Sequence, residues 1–395
     1  MKLQEVCEVY SGYALKEFHD SDEGYPVIKI GNICSDGTLD LEKCQFTNDF
    51  VNEKYFSKKG DIYVALSGAT TGKIGIINTD EKYIINQRVG VVRKIDKAIP
   101  DQYIKYFLMN KTEKILEDAS GCAQPNISPK QIGQYEFPKL GYSEMDHISV
   151  ILDGISNVIA QRKQELQKFD DLIKARFVEL FGDLASPKCK WKAEKLVDVC
   201  VNPDDIKCGP FGTQLNKDEY VDSGVAVWEI PQINSLFLTT PTHYLTEEKA
   251  RQLDAYSIKP GDIAMSRKGN VGKCAVFPSS LAEGIIHSDV LRIRVDDSRV
   301  FPMFMMHQLH YSGAVQHQIE LVSSGAIMAG INVTKLKQIF VHIPPMELQN
   351  QFTTFVQQVD KSKFLRSIYC DRLHIFMEQI KTILTPIGNY CFCRN

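Results

Sequence analysis

The sequence predicts an α+β chain of two repeated mixed α/β domains, separated by two long helices that pair as an antiparallel coiled coil about a pseudo-two-fold axis. Three observations lead there. The 395 residues exceed what one hydrophobic core usually serves. Five short segments recur in the same order at a nearly constant offset. Two stretches place apolar residues in alternating steps of four and three. The expected boundaries are 1–142 for the first domain, 143–190 for the first long helix, 191–345 for the second domain, 346–386 for the second long helix and 387–395 for a tail.

The repeat comes first, because missing one misreads an architecture. MKLQEVCE at 1–8 returns as EKLVDVCV at 194–201, and GYPVIKIGNI at 24–33 as GVAVWEIPQI at 224–233. KKGDIYVALSGATTGKIGII, from Lys58, returns as KPGDIAMSRKGNVGKCAVF, from Lys259. INQRVGVVRKID at 85–96 returns as IHSDVLRIRVDD at 286–297, and NISPKQIGQYEFP at 126–138 as NVTKLKQIFVHIP at 332–344. A period of roughly 200 residues means duplicated domains, not a solenoid.

Within each copy, runs rich in β-branched and aromatic residues bounded by Gly, Asn, Asp or Pro read as strands, most clearly Tyr25 to Ile30, Asp61 to Leu66 and Val89 to Arg93. QYIKYFLMNKTEKILEDA at 102–119 has helical spacing. After the first copy, Ile148, Leu152, Ile155, Ile159, Leu166, Phe169, Ile173 and Leu180 mark a heptad seam, with Arg162 and Arg176 at intervening seam positions. After the second, Phe352, Val356, Val359, Leu373, Phe376, Ile380 and Ile383 do the same across a polar middle. A helix of ~40 residues spans about 60 Å at 1.5 Å per residue, longer than a small domain can cover, which favours pairing of the two helices with each other.

Composition narrows the class. With 44% hydrophobic and 24% charged residues, the chain is globular in type. Glu5 and Glu8 stand where a signal peptide needs apolar residues, and no uncharged apolar run reaches membrane-spanning length, so a cytoplasmic protein without membrane contact is expected. The 11 cysteines form no CxxC pairs and read as small buried hydrophobes, with Cys391 and Cys393 too few to hold zinc. Forty-six basic against 49 acidic residues, a net charge of −3, excludes a protein that coats nucleic acid nonspecifically, while leaving room for local cationic patches.

Catalytic signatures fail one by one. GATTGK at 68–73 has three residues, not four, between its glycines, and Ile74 stands where a P-loop needs Ser or Thr; the second copy, GNVGK at 269–273, is shorter still. Asn202-Pro203-Asp204 lacks the second proline and the aromatic of an amino-methyltransferase tetrapeptide. Glu247-Glu248-Lys249 reads as a helix start capped by Thr246 rather than as nuclease residues. Nine histidines occur without HxxxH or HExxH spacing. No catalytic or metal-binding residue is expected.

The order strand, GDIYVALSGATTGKIG, INQRVGVV, helix, ASGCAQPNISPKQIGQYEFP, long helix, then all of it again, resembles the specificity subunits of type I restriction-modification systems over almost the whole chain. Departures are Arg267 and Lys268 where the first copy has Leu66 and Ser67, and SSGAIMAGIN at 323–332 where the first has SGCAQPN. The resemblance implies a non-catalytic, sequence-specific binder of double-stranded DNA with two target-recognition domains, reading a bipartite asymmetric target. It implies two methyltransferase subunits as partners, and through them two restriction subunits. S-adenosylmethionine, ATP and Mg belong to those partners, with no cofactor in this chain. Other classes consistent with the residues are a specificity chain of a type II system, IIB or IIG in kind, and an interaction scaffold without a DNA role.

Base reading needs donors and acceptors at loop tips held by rigid strands. In the first domain the candidates are Ser67, Thr70, Thr71 and Lys73, with Asn86, Gln87 and Arg88 before the next strand. In the second they are Arg267, Lys268, Asn270 and Lys273, with His287, Ser288 and Asp289. The loops at 120–126 and 323–332 are further candidates, although Asn126 and Asn332 serve equally well as caps of the following turn.

Overall fold

The computed structural model describes residues 1–120, 125–138, 140–186, 188–269, 271–323 and 330–384. The chain divides into unit 1, Met1–Gln164 with the segment from Arg366 onward, and unit 2, Glu165–Leu365.

Unit 1 holds β1 (Cys7–Ser11), β2 (Tyr25–Ile28), β3 (Gln45–Thr47), β4 (Ile62–Ala65), β5 (Ile74–Ile76), β6 (Ile84–Ile85) and β7 (Val89–Lys94). Four of them make an antiparallel sheet in the order β1-β7-β4-β5. In the smaller sheet, β3-β2-β6, β2 runs antiparallel to β3 and parallel to β6. The continuous apolar runs of β4 and β7 follow from burial on both faces. Ile62, Val64 and Val92 point into the helical core, whereas Tyr63, Ala65, Val89 and Val91 pack with Ile28 and Ile85 of the smaller sheet. The helical layer consists of α1 (Asp101–Met109), α2 (Thr112–Ala119), α3 (Pro129–Gly133) and the first part of α4 (Tyr142–Phe181). A capping box between Ser128 and Gln131, with Pro129 in the first turn, starts α3.

Unit 2 repeats the plan with β8 (Lys192–Lys195), β9 (Ile206–Cys208), β10 (Val225–Trp228), α5 (Ile230–Asn234), β11 (His243–Leu245), α6 (Glu247–Gln252), β12 (Ser257–Ile258), β13 (Ile263–Ser266), β14 (Cys274–Val276), β15 (Gly284–Ile286) and β16 (Val290–Ile293). There follow α7 (Pro302–Tyr311), α8 (Gly313–Ser323), α9 (Val333–Lys337), β17 (Phe340–Ile343) and α10 (Met346–Lys381). The order β9-β16-β13-β14 matches that of the larger sheet of unit 1, and β11-β10-β15 that of the smaller. Unit 2 adds β12 to β15 where unit 1 has a single bridge, Phe56 to Ile84. Likewise β8 pairs β17 where unit 1 has the bridge Lys2 to Glu136. Thr246 caps α6 as its sequence position indicates, accepting from Lys249 N at 3.2 Å.

The hydrogen bonds correct the alignment of the last repeated segment. Ile127 N donates to Leu66 O, and Ile331 N to Arg267 O; Ser67 bridges Asn126 as Lys268 bridges Gly330. Asn126 therefore corresponds to Gly330, two residues before Asn332, and Ile132 and Phe137 correspond to the buried Leu336 and Val341. The shared Asn had misled the alignment. Asn332 is the N-cap of α9, the place Ser128 holds before α3.

Each unit draws core residues from both long helices. In unit 1, Leu152, Ile155 and Ile159 share a core with Cys370, Met377 and Leu384. In unit 2, Ile173, Phe177 and Phe181 join Phe352, Val356 and Val359. There the rings of Phe177, Phe181, Phe304 and Phe352 pack mostly edge to face, with Phe181 and Phe304 centred 4.8 Å apart. The buried stripes differ in part from the expected seam. Phe177 and Phe181 are the deep residues at the end of α4, with Leu180 only partly covered. Phe376 of α10 and Ile383 in the 3-10 turn that follows it are half exposed, and Cys370, Leu373, Met377 and Ile380 carry the stripe. Two apolar residues stand side by side at 376–377 and 383–384, and neighbours on a helix lie about 100° apart, so only one of each pair can face the core.

Candidate nucleic-acid interface

In unit 1 the segment joining β4 to β5 is a tight loop. Gly68 and Gly72 have φ of 85° and 82°, where a side chain would be strained. Thr71 is buried, and its hydroxyl donates to Gly68 O at 2.7 Å, so this candidate holds the loop's own shape. Thr70 Oγ1 is buried without a hydrogen-bond partner. Ser67 lies beside Asn126 through the bridge between their backbones, and Gly68 N donates to Pro125 O.

The turn Asn86–Arg88 adjoins this loop, because Leu66 N donates to Arg88 O at 2.9 Å. Asn86 Oδ1 accepts from Arg88 N at 3.2 Å, which fixes the turn. Gln87 and Arg88 are exposed, and neither side chain has a partner among the described residues. Behind the turn, Gln87 N donates to Tyr13 O and Tyr13 N to Ile85 O. A Cβ on Gly12 would lie 2.3 Å from Ile85 O and 2.4 Å from Asn86 O. Sequence reasoning missed Gly12 and Tyr13; a glycine directly following β1 and its counterpart β9 was the available signal.

Unit 2 brings the equivalent segments together by the same bonds. Arg267 N donates to Asp289 O at 2.9 Å. A Cβ on Gly209 would lie 2.3 Å from both Ile286 O and His287 O. The side chains differ. Arg267 is half-buried: its Nε donates to Ile331 O at 3.0 Å and its guanidinium lies 4.8 Å from the Phe211 ring centroid. Lys268 pairs with Asp289 at 2.7 Å. His287 Nδ1 accepts from Asp289 N at 3.2 Å, and Ser288 O faces Arg267 at 3.4 Å. Lys273 lies near His310, whose imidazole is pushed below its ordinary pKa first by burial and then by Lys273. Asn270 lies outside the described residues, as do parts of the loops at 120–126 and 323–332.

Each unit thus presents three adjoining segments at one end of its larger sheet: a Gly-bounded loop, a three-residue turn and the stretch before a capped short helix. Among the described residues no three His, Cys, Asp or Glu side chains are arranged to hold a metal, and no helix is long and apolar enough to cross a membrane.

Residues 1–168 match the type I restriction modification DNA specificity domain. The chain is 28% identical over 179 residues to the type I restriction enzyme MjaVIII specificity subunit of Methanocaldococcus jannaschii, covering 43% of this chain and 42% of that protein. It is 20% identical over 385 residues to the type I restriction enzyme EcoBI specificity subunit of Escherichia coli, covering 91% of this chain and 78% of that one. The fold is similar to that of the S subunit of a type I restriction-modification system from M. genitalium, with a TM-score of 0.58 at 14% identity over 98% of this chain and 96% of the other. A chain from a structural study of complex assembly and conformational transition in the type I R-M system gives 0.51 at 17% identity, over 97% and 96%. Residues 1–168 thus carry the mark of the type I restriction modification DNA specificity domain, and over nearly its whole length the chain is similar in fold to S subunits of such systems.

Proposed function

We propose that the chain reads a bipartite, asymmetric target in double-stranded DNA, one half-site per unit, and directs two methyltransferase subunits and two restriction subunits to it in the cytoplasm. The observation that carries this reading is the duplication of one loop architecture with different side chains. Identical backbone bonds hold the loop at 66–73 against the turn at 86–88 and the loop at 267–273 against the turn at 287–289, yet Arg88 is replaced by Asp289 and Ser67 by Lys268. Two similar readers of different chemistry suit a target that is not a palindrome.

Base edges in the major groove are met by Gln87 and Arg88 in unit 1, the residue types suited to adenine and guanine, with Ser67 beside them. In unit 2 they are met by Lys268, His287, Ser288 and Asp289. Lys73, Lys273 and backbone amides of the loops serve phosphates. The long helices α4 and α10 run antiparallel as a coiled coil and set the distance between the readers. In support, the core-facing positions 352, 356, 359, 370, 373, 377 and 380 of α10, continued by 384 just beyond its end, keep one heptad register.

Methylome sequencing of a host that expresses this chain with its methyltransferase partner tests the proposal. One asymmetric motif of two short halves around a nonspecific spacer is expected, and Arg88→Ala relaxes one half only. A palindromic motif, or none, overturns it.

A further inference from the structure

Strand register brings a second pair of side chains to each reading turn. In unit 1, β2 pairs β3 with Val27 opposite Gln45, and β6 with Ile28 opposite Ile85. In unit 2, β10 pairs β11 with Val227 opposite His243, and β15 with Trp228 opposite Ile286. Lys29 and Glu229, each the next residue after its strand, therefore occupy one position, and Gln45 and His243 another. Both pairs are bonded within themselves: Lys29 Nζ donates to Gln45 Oε1, and Glu229 Oε2 meets His243 Nδ1 at 2.8 Å. Both adjoin the turn, since Asn86 N donates to Ile28 O at 3.0 Å and His287 N to Trp228 O at 2.9 Å.

The charge is inverted between the units. Unit 1 sets the Lys29 ammonium, 3.3 Å from the Phe18 ring centroid, beside the turn that ends in Arg88. Unit 2 sets Glu229 beside the turn that ends in Asp289. Glu229 Oε2 takes Thr242 and His243, while its Oε1 faces His287 Nε2 at 4.0 Å. Lys268 covers Asp289 at 2.7 Å, so this carboxylate enters the phosphate field already paired, whereas Glu229 Oε1 is met by His287 only at 4.0 Å.

We propose that Lys29 and Glu229 are specificity-determining residues of opposite sense. Unit 1 selects a base edge that accepts, guanine O6 and N7; unit 2 selects one that donates, the exocyclic amino group of cytosine or adenine. The chemistry follows from the donor inventory. An ammonium has only donors and a carboxylate only acceptors, and each repels the edge that suits the other. The inference rests on the sequence-reading function above.

The test uses the full chain in complex with its methyltransferase partner. Methylome sequencing of Lys29→Gln and Glu229→Gln comes first, and each is expected to relax a base pair in a different half-site. Anisotropy titrations on the wild-type target follow, with 7-deazaguanine at the position Lys29→Gln relaxes, or N4-methylcytosine or N6-methyladenine at the position Glu229→Gln relaxes. Each modified base is expected to weaken binding about tenfold, a loss absent in the matching variant and retained in the other. An unchanged motif in both variants, with Arg88→Ala still relaxing one half-site, overturns the role of these residues and leaves the reading function standing. Losing every sequence preference with Arg88→Ala as well as in both variants, or finding none in the wild type, overturns the function itself. Thermal unfolding of each variant accompanies the series. A midpoint well below that of wild type moves the test to Lys29→Arg and Glu229→Asp, which keep the charge and must keep the motif.

Discussion

Asp61 and Arg93 lock β4 to the neighbouring β7 through two hydrogen bonds, 2.7 Å to Nε and 2.6 Å to Nη2, with the Asp61 side chain only 2% exposed. The same Asp61 Oδ2 accepts from Lys58 N at 2.8 Å, shaping the turn into the strand. Asp262 and Arg294 repeat the arrangement at 2.7 Å for both bonds, with Lys259 N in the place of Lys58 N. Removing the carboxylate strands a guanidinium that the fold has partly desolvated. Asp61→Ala is expected to cost about 3 kcal/mol of stability. Asp262→Ala costs less, because Arg294 is 34% exposed against 14% for Arg93. Denaturant titration of the two variants checks the order; equal losses, or none, contradict it.

A second prediction concerns Gly12 and Gly209, each with its Cα against the backbone of the turn proposed to read DNA. An alanine methyl would press carbonyl oxygens at 2.3 Å, so backbone must shift. Gly12→Ala is expected to weaken binding through the half-site read by unit 1 and leave the other half unaffected, with Gly209→Ala doing the reverse. Binding to targets altered in one half at a time distinguishes this from global unfolding, which would weaken both.

Much of this was legible in the sequence because duplication makes a chain its own alignment. The strands of the larger sheets, the capped α6 and the adjoining loops follow from β-branched runs and turn residues common to both copies. Phe376 and Ile383 misled because hydrophobicity alone does not choose between adjacent apolar residues on a helix. Lys29 and Glu229 were hidden for a different reason. Their position in each copy was aligned, but their proximity to the turn depends on the parallel pairing of β2 with β6 and of β10 with β15, which joins strands more than 50 residues apart. Arg267 was visible as a cation, whereas its engagement with Ile331 and Phe211 was not.

Acid should loosen unit 2 through His307. This imidazole stacks on Tyr311 at 5.3 Å and meets Phe352 edge-on, and neither of its nitrogens has a partner. Burial, aided by His310 and Lys363, pushes its pKa down to about 3. The unfolded chain binds a proton near pH 6.5 while the folded one does not until about 3, so stability present above 6.5 declines as pH falls through this window. The slope is about 1.4 kcal/mol per pH unit for this group. His307→Phe is expected to lose that component in denaturant titrations between pH 7 and 5. An unchanged slope in the variant would assign the acid sensitivity elsewhere.

The last prediction tests whether α4 and α10 space the proposed readers. Both helices pass from one unit to the other, α4 between Gln164 and Glu165 and α10 between Leu365 and Arg366. Four residues inserted at both places lengthen the pair by about 6 Å, at most two base-pair rises of about 3.4 Å. Only the component along the DNA axis counts, so the spacer in the methylated motif should grow by one to two base pairs while both half-sites stay the same. Four residues exceed one turn by about 40°, a stutter that a coiled coil absorbs. Two residues instead swing the apolar stripe by about 200°, bringing charges such as Lys168 and Asp171 to the seam, and should abolish folding of the pair. An unchanged spacer at full activity in the four-residue variant means that the helices serve only as packing for their own units.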